Sequence, residues 1–432
     1  MDFKGTPKRG LFGATLGFFF GFAAVALFGP TADRFQEVMD LSPTLVGLLV
    51  AMPSLSGSLL RIPFAAWVDA DGGRKPFLVL FGLSILGMLG LTVVVYLYYP
   101  ADLTMSLYPV LLILGLLCGC GIAIFSVGIG QVSYWFPADE QGWALGTYAG
   151  VGNLAPGLFS FLIPVALSSI GLATSYLIWL LFLIVGAAAY FFAGRNAWFF
   201  QARDRGMPKR QAREVAEQQG QELFPAESPV ESIKMAAKLW RTWPLVLLYF
   251  TTFGGFLALT SWLPTYWKTY MAAGGVMAGA MTAIFAVLSS AIRVPGGFLA
   301  DRIGGEKTAI MSLSLVMFGA LVMTFSATTA ISVAGLVAMA CGMGVNNAAV
   351  FKLVPDYCCD AVGGASGWVG GLGAFGGFAL PPVMGAFVNW QGDAGYATGY
   401  VTFVVLALLC IGLVLMLAST DSTPATTSHH GN

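Results

Sequence analysis

Residues 61–75 read RIPFAAWVDADGGRK, and residues 293–307 read RVPGGFLADRIGGEK. Six identities recur at one constant offset: Arg61 and Arg293, Pro63 and Pro295, Asp69 and Asp301, Gly72 and Gly304, Gly73 and Gly305, Lys75 and Lys307. In both copies an apolar run carrying an arginine gives way to a polar, glycine-containing turn. A weaker correspondence runs alongside. Pro137 and Pro355 close two further apolar runs, and Gly150-x-Gly152 and Gly371-x-Gly373 lie in the runs that follow. The pattern divides the chain into two related halves.

Composition sets the solvent of those halves. Of 432 residues, 57% are hydrophobic and 10% are charged, against roughly 25% charged in a soluble domain. A membrane-spanning helix needs about 20 apolar residues. Twelve runs qualify: 11–32, 44–68, 76–99, 106–135, 142–168 and 173–194, then 243–267, 276–300, 308–327, 331–354, 362–388 and 396–418. The expected fold is an all-α membrane protein. It has a six-helix bundle over 1–194, a linker over 195–242, a second six-helix bundle over 243–418 and a polar tail over 419–432. The linker is rich in Gln, Glu, Arg and Lys and reads as solvated, in part helical. The run from Leu11 to Pro30 lacks a small-residue cleavage site and is followed by similar runs, so it reads as a first span and not a signal peptide. The 55 glycines suit closely packed membrane helices. Cys118, Cys120, Cys341, Cys358, Cys359 and Cys410 lie in or beside apolar stretches and read as small buried hydrophobes.

The placement of charge is more informative than its zero net value. An even number of spans puts both termini on one side. That side holds sixteen of the 21 basic residues, nine of them in the linker, and the other side holds Arg34 and Lys268. Basic residues favour the cytoplasm, so the termini and linker are expected there. Arg61, Arg293 and Lys352 remain, all inside apolar runs, whereas every acidic residue falls in a loop, a tail or at a span end. A charge at mid-bilayer costs about 2.5–3.5 kcal/mol on insertion scales. One such arginine could snorkel to the interface. Two at matching depth, without carboxylates, point to an anion. Two six-span repeats joined by a cytoplasmic linker imply pseudo-two-fold symmetry with the substrate midway between the halves, so Arg61 and Arg293 are expected on opposite walls of one central cavity. A guanidinium meets an oxyanion bidentately and keeps its charge at physiological pH.

The loop Asp69-x-x-Gly72-Gly73-Arg74-Lys75, and more closely Gly297-Phe298-Leu299-Ala300-Asp301-Arg302-Ile303-Gly304-Gly305, resembles the signature between the second and third helices of the major facilitator superfamily. Where that signature has a basic residue after the Asp, the first copy has Ala70. Two glycine-rich stretches are more specific. One runs from Gly119-Cys120-Gly121 through Phe125 and Trp135-Phe136-Pro137 to Gly150-Val151-Gly152-Asn153. The other runs from Gly370 through Gly377 to Pro381. They resemble the nitrate signatures of the nitrate/nitrite porter family, and Leu60-Arg61-Ile62-Pro63 and Ala291-Ile292-Arg293 resemble its two arginine segments. The resemblance covers all twelve spans.

It implies a secondary transporter of nitrate and nitrite in the cytoplasmic membrane, with Arg61 and Arg293 clamping the anion. Asn153 falls on a substrate-contacting position, and its repeat counterpart is Ala374. Phe125, Tyr249 and Phe253 fall on aromatic cavity positions; ordinary packing is the alternative for each. Asp69, Arg74, Asp301 and Arg302 in the loops, and Gly150, Gly152, Gly371 and Gly373 in the spans, are implied to serve conformational gating. Lys352 has two readings: it snorkels to the interface, or it supplies a second charge on the exit path or a titratable amine for proton coupling. The Phe351-Lys352-Leu353-Val354-Pro355 stretch is closer to the proton-symport branch, while the missing intramembrane carboxylate argues against a proton relay. The expectation is therefore proton–nitrate symport, with nitrate/nitrite exchange as the alternative.

His429 and His430 are the only histidines and lie in the tail, and no phosphate-cradling Gly-Lys-Ser loop is present. No enzyme activity, cofactor, metal or nucleic-acid partner is expected, and a monomer in the lipid bilayer is. A carrier for another small anion is a competing reading, disfavoured by the glycine signatures. A sensor on the same fold would need an extra signalling domain.

Overall fold

The computed structural model describes residues 3–137, 140–225, 229–358 and 361–421. Cys359, His429 and His430 lie outside them. The described chain is helical throughout. Eleven helices are long and apolar enough to cross a membrane. The first half holds α1 (Pro7–Met39), α2 (Pro43–Asp71), α3 (Arg74–Tyr98), α4 (Met105–Ser133) and α5 (Trp143–Ala193). Three short helices follow: α6 (Trp198–Asp204), α7 (Lys209–Gln218) and α8 (Pro229–Lys238). The second half holds α9 (Thr242–Tyr270), α10 (Gly275–Ile303), α11 (Gly305–Thr324), α12 (Thr329–Tyr357), α13 (Gly363–Thr398) and α14 (Val401–Ser419).

The eleven helices make twelve crossings. α5 has 51 residues, about 75 Å if straight, far beyond a ~30 Å hydrocarbon core. At Gly171 the backbone leaves the helix with φ 76°, a left-handed value that only glycine adopts without strain. The chain doubles back there, because the Phe159 ring lies 4.8 Å from that of Phe182. Twenty-three residues of straight helix would hold them roughly 35 Å apart. The two spans expected at 142–168 and 173–194 are thus present, joined by almost no loop.

Proline shapes the spans that carry the arginines. α2 breaks at Leu60, between segments Pro43–Leu59 and Arg61–Asp71. α10 breaks at Ile292, between Gly275–Ala291 and Arg293–Ile303. Pro63 and Pro295 cannot donate to the carbonyls of Leu59 and Ala291, four residues back, and their rings press on them. Each arginine therefore starts a new helical segment just past a kink.

The halves meet through α2 on α13 and α5 on α10. Several of their polar ties gather on the face away from the Gly72 and Gly304 turns. There Lys268 Nζ pairs with Asp33 Oδ1 at 3.0 Å and donates to Pro30 O at 2.8 Å. Ser261 Oγ donates to Val25 O at 3.1 Å, and Asn389 donates to Thr44.

The expectation of a solvated linker is corrected. Phe199, Phe200, Ala202, Ala212 and Ala216 are buried. Trp198 sits edge-on to Trp135 at 5.1 Å and Phe200 edge-on to Tyr134 at 5.2 Å. Gln201 bonds both backbone groups of Lys4, and Trp368 Nε1 donates to Ile233 O at 2.9 Å. The stretch is polar on one side only: Arg210–Glu214 and Arg213–Glu217 pairs cover its outer surface, while its aromatic residues cap the bundle.

Candidate functional site

Arg61 is 1% exposed. Its Nε donates to Gly57 O at 3.1 Å, one turn back across the kink, and its Nη1 donates to Gly370 O of the other half, also at 3.1 Å. The guanidinium lies against two rings, with Cζ 4.8 Å from the centre of Phe125 on α4 and 5.1 Å from that of Phe253 on α9. Nη2 has no partner. Two carbonyls and two ring faces stabilise the charge, each ring by about 0.5–2 kcal/mol. The desolvation they offset is several kcal/mol per buried ion.

Local structure sets those rings. Residues Phe250–Gly254 form a π-turn, the kind of irregularity that recurs at functional sites. It stacks Tyr249 on Phe253 at 4.7 Å and 9°. On α4, the Phe125 carbonyl accepts from Tyr148 at 3.0 Å, and its ring stacks on that of Phe253 at 6.0 Å. Tyr249 meets Phe351 edge-on at 5.1 Å, and Arg293 stands over Phe351 with Cζ 5.9 Å from its centre. One aromatic row thus runs from Arg61 to Arg293.

A cavity opens beside this row, lined by Asn153, Phe253, Phe256, Ser289, Ser290, Arg293 and Asn347. Asn153 stands at another helix break, between Gln141–Gly152 and Leu154 onward. It is buried and its Oδ1 is unpartnered; turning the amide would present its NH₂ instead. Tyr249 OH and Ser289 Oγ are likewise buried without partners. No Asp or Glu is among the buried side chains of the described residues. The surroundings offer positive charge and hydrogen-bond donors, which suits an anion.

The structure brings Arg61, Phe125, Tyr249, Phe253, Asn153 and Arg293 together, although Arg61 sits behind Phe125 and Phe253 and does not line the cavity. Lys352 stands apart. It is half-exposed and pairs with Asp301 Oδ1 at 3.1 Å, so the apolar run around it does not bury its charge. Asp69 accepts from Tyr134 OH at 2.6 Å. Arg74 donates to Phe191 O at 2.9 Å, and Arg302 is exposed. Among the glycines, a side-chain carbon at Gly371 would lie 2.7 Å from Ile62, one at Gly373 2.7 Å from Tyr249, and one at Gly152 inside the Phe18 ring. Gly150 faces open space. Phe351, Ser289 and Asn347 carry no signature; the one sequence clue is that Ser289 lies one turn before Arg293.

Twelve crossings in two related halves around one cationic cavity define a multi-pass membrane carrier. The family model described as Major Facilitator Superfamily matches residues 14–381 and, again, residues 273–431. The "Probable nitrate transporter NarT" of Staphylococcus epidermidis is 29% identical over 93% of this chain and 94% of its own length. The "Probable nitrate/nitrite antiporter NarK1" of Thermus thermophilus is 30% identical over 93% and 88%. Among solved structures, a partially occluded inward-open form of the xylose transporter XylE from E. coli superposes with a TM-score of 0.71. It covers 98% of this chain and all of that one at 14% identity, a likeness of fold alone. The chain belongs to the major facilitator superfamily and, within it, to the nitrate/nitrite porters.

Proposed function

We propose that this protein carries nitrate and nitrite across the cytoplasmic membrane by alternating access, exchanging one anion for another. The observation that carries this reading is the pair of arginines on one aromatic row, with no buried carboxylate among the described residues. Arg61 and Arg293 stand at the two ends of one aromatic row. In a low-dielectric site, like charges repel strongly and an anion between them removes the repulsion. Closure around an empty site is therefore disfavoured, and closure around a loaded one is favoured. Such a carrier returns only when loaded, which is exchange.

Exchange replaces the proton symport expected from the Phe351–Pro355 stretch. Lys352 is paired with Asp301 and half-exposed, which suits a surface contact better than a buried proton carrier. The name of the Thermus relative points the same way. The face bearing the Gly72 and Gly304 turns is assigned to the cytoplasm with both termini and residues 195–242, since sixteen basic residues lie there.

The test is transport by the purified chain in proteoliposomes. Nitrate uptake is expected when the lumen holds nitrite or nitrate, and little uptake when it holds neither. Uptake into anion-free vesicles that follows an imposed pH gradient would overturn exchange. No uptake of either anion under any condition would overturn the substrate.

A further inference from the structure

We propose that Ser289 and Asn347 are substrate-contacting residues that select for a planar anion with three oxygens. The proposal rests on the anion-exchange reading above. Ser289 lies four residues before Arg293, and both line the cavity that holds Asn153 and Asn347. A serine inside a helix usually turns its hydroxyl onto a carbonyl of the preceding turn. Ser290 does so, donating to Ala286 O at 2.8 Å. Ser289, 2% exposed, has no partner for its Oγ. A hydroxyl left alone in a protein interior is costly, and here it is left alone beside a guanidinium.

Asn347 is oriented by a buried relay. Ser312 Oγ donates to Asn346 Oδ1 at 3.2 Å, and Asn346 Nδ2 donates to Thr252 Oγ1 at 3.1 Å. Thr252, in the π-turn, donates to Asn347 Oδ1 at 2.8 Å, sharing its proton with Leu248 O. The acceptor end of Asn347 is thereby occupied, and its NH₂ is left for the cavity it lines.

Neither residue has a polar counterpart in the first half. The offset that pairs Arg61 with Arg293 places Gly57 opposite Ser289. The offset that pairs Pro137 with Pro355 places Ile129 opposite Asn347. The second half thus supplies both the charge that lines the cavity and two neutral donors. Nitrate has three oxygens and accepts hydrogen bonds only. The Arg293 fork can engage two oxygens bidentately, and the third needs neutral donors. Nitrite has no third oxygen to offer.

The experiment measures KM for nitrate and for nitrite, in nitrite-loaded and nitrate-loaded proteoliposomes, for the full chain, Ser289→Ala and Asn347→Leu. Each substitution is expected to raise KM for nitrate about tenfold, as loss of a hydrogen bond to a charged ligand does. KM for nitrite is expected to change by less than about twofold. Ser289→Ala removes an unpartnered hydroxyl, so its melting temperature is expected to match or exceed that of the parent. A merely structural hydroxyl would leave the nitrate-to-nitrite ratio of KM values where it was. Parental ratios in both variants overturn the proposal, and if one variant fails to insert, the ratio in the other decides. Failure of the unaltered chain to exchange either anion would instead overturn the transport reading itself.

Discussion

The two copies of the fifteen-residue repeat start from the same kink and end in different surroundings. Arg61 is enclosed, held by Gly57 O and Gly370 O and packed against Phe125 and Phe253. Arg293, at the matching kink, is only partly buried, stands over Phe351 and lines a cavity. The signature aspartates diverge too. Asp69 accepts a hydrogen bond from a tyrosine, and Asp301 pairs with a lysine. Tyr134 and Lys352 each stand three residues before the proline that closes their span, Pro137 or Pro355. Symmetry therefore preserves the backbone positions and leaves the chemistry free to differ. The first half holds its charge as a fixed anchor, and the second presents its charge on a freer wall.

The harshest way to break this comparison is to replace each guanidinium by an ammonium. Arg61→Lys and Arg293→Lys should each lower nitrate exchange by roughly 100-fold or more, because a point charge cannot reproduce the planar fork and its charge-assisted bonds. The two variants should then part company in a melting experiment. Arg61→Lys loses the bond across the halves to Gly370 O and should melt at the lower temperature, while Arg293→Lys should stay close to the parent. Exchange at parental rate by either variant would sink the two-arginine site. Equal melting temperatures would sink the anchor-and-wall distinction.

The glycine pairs sharpen the comparison at smaller scale. Gly150 faces open space and Gly152 packs on Phe18, although the two read alike in sequence. Gly150→Ala should stay within about 0.5 kcal/mol of the parent in stability. Gly152→Ala overpacks a filled site and should cost about 1–3 kcal/mol, with slower exchange. Equal behaviour of the two in a thermal melt would show that close approach at Gly152 is not what that glycine is for.

These differences separate what the residue pattern determines from what only the tertiary fold determines. The twelve crossings were legible because each is a long apolar run, and even the α5 hairpin showed as two runs despite having Gly171 in place of a loop. Arg61 and Arg293 were legible because a charge in such a run is costly and rare. Phe351 was not, since one phenylalanine among 33 has no distinguishing pattern until its helix face is known. Ser289 was hidden for a related reason: nothing in the chain says that its hydroxyl declines the carbonyl that Ser290 takes. The docking of the linker does not follow from its overall polarity; its signal is Trp198-Phe199-Phe200. The partner of Lys352 lies 51 residues away on another helix, Asp301, and adjacency of that kind comes only from the tertiary fold.

That last pair gives the smallest predicted effect and the finest test. The Asp301–Lys352 bridge leaves 66% and 44% of its two side chains exposed, and exposed pairs contribute about 0–1 kcal/mol. Lys352→Gln should therefore lower stability by less than about 1 kcal/mol and leave anion exchange within about fivefold, because 1.4 kcal/mol would be needed for a tenfold change. The matching bond in the first half is better shielded. Tyr134 OH reaches Asp69 at 2.6 Å in partly buried surroundings, and a hydrogen bond to a charged group contributes about 1.5–3 kcal/mol. Tyr134→Phe should accordingly cost more than Lys352→Gln, with both measured in the same detergent by thermal melting. The reverse order would mean that the second half, not the first, holds the tighter latch on the loop face. A Lys352→Gln variant that exchanges anions normally yet loses all uptake driven by a pH gradient would return Lys352 to proton coupling, and with it the symport that its neighbours in sequence suggest.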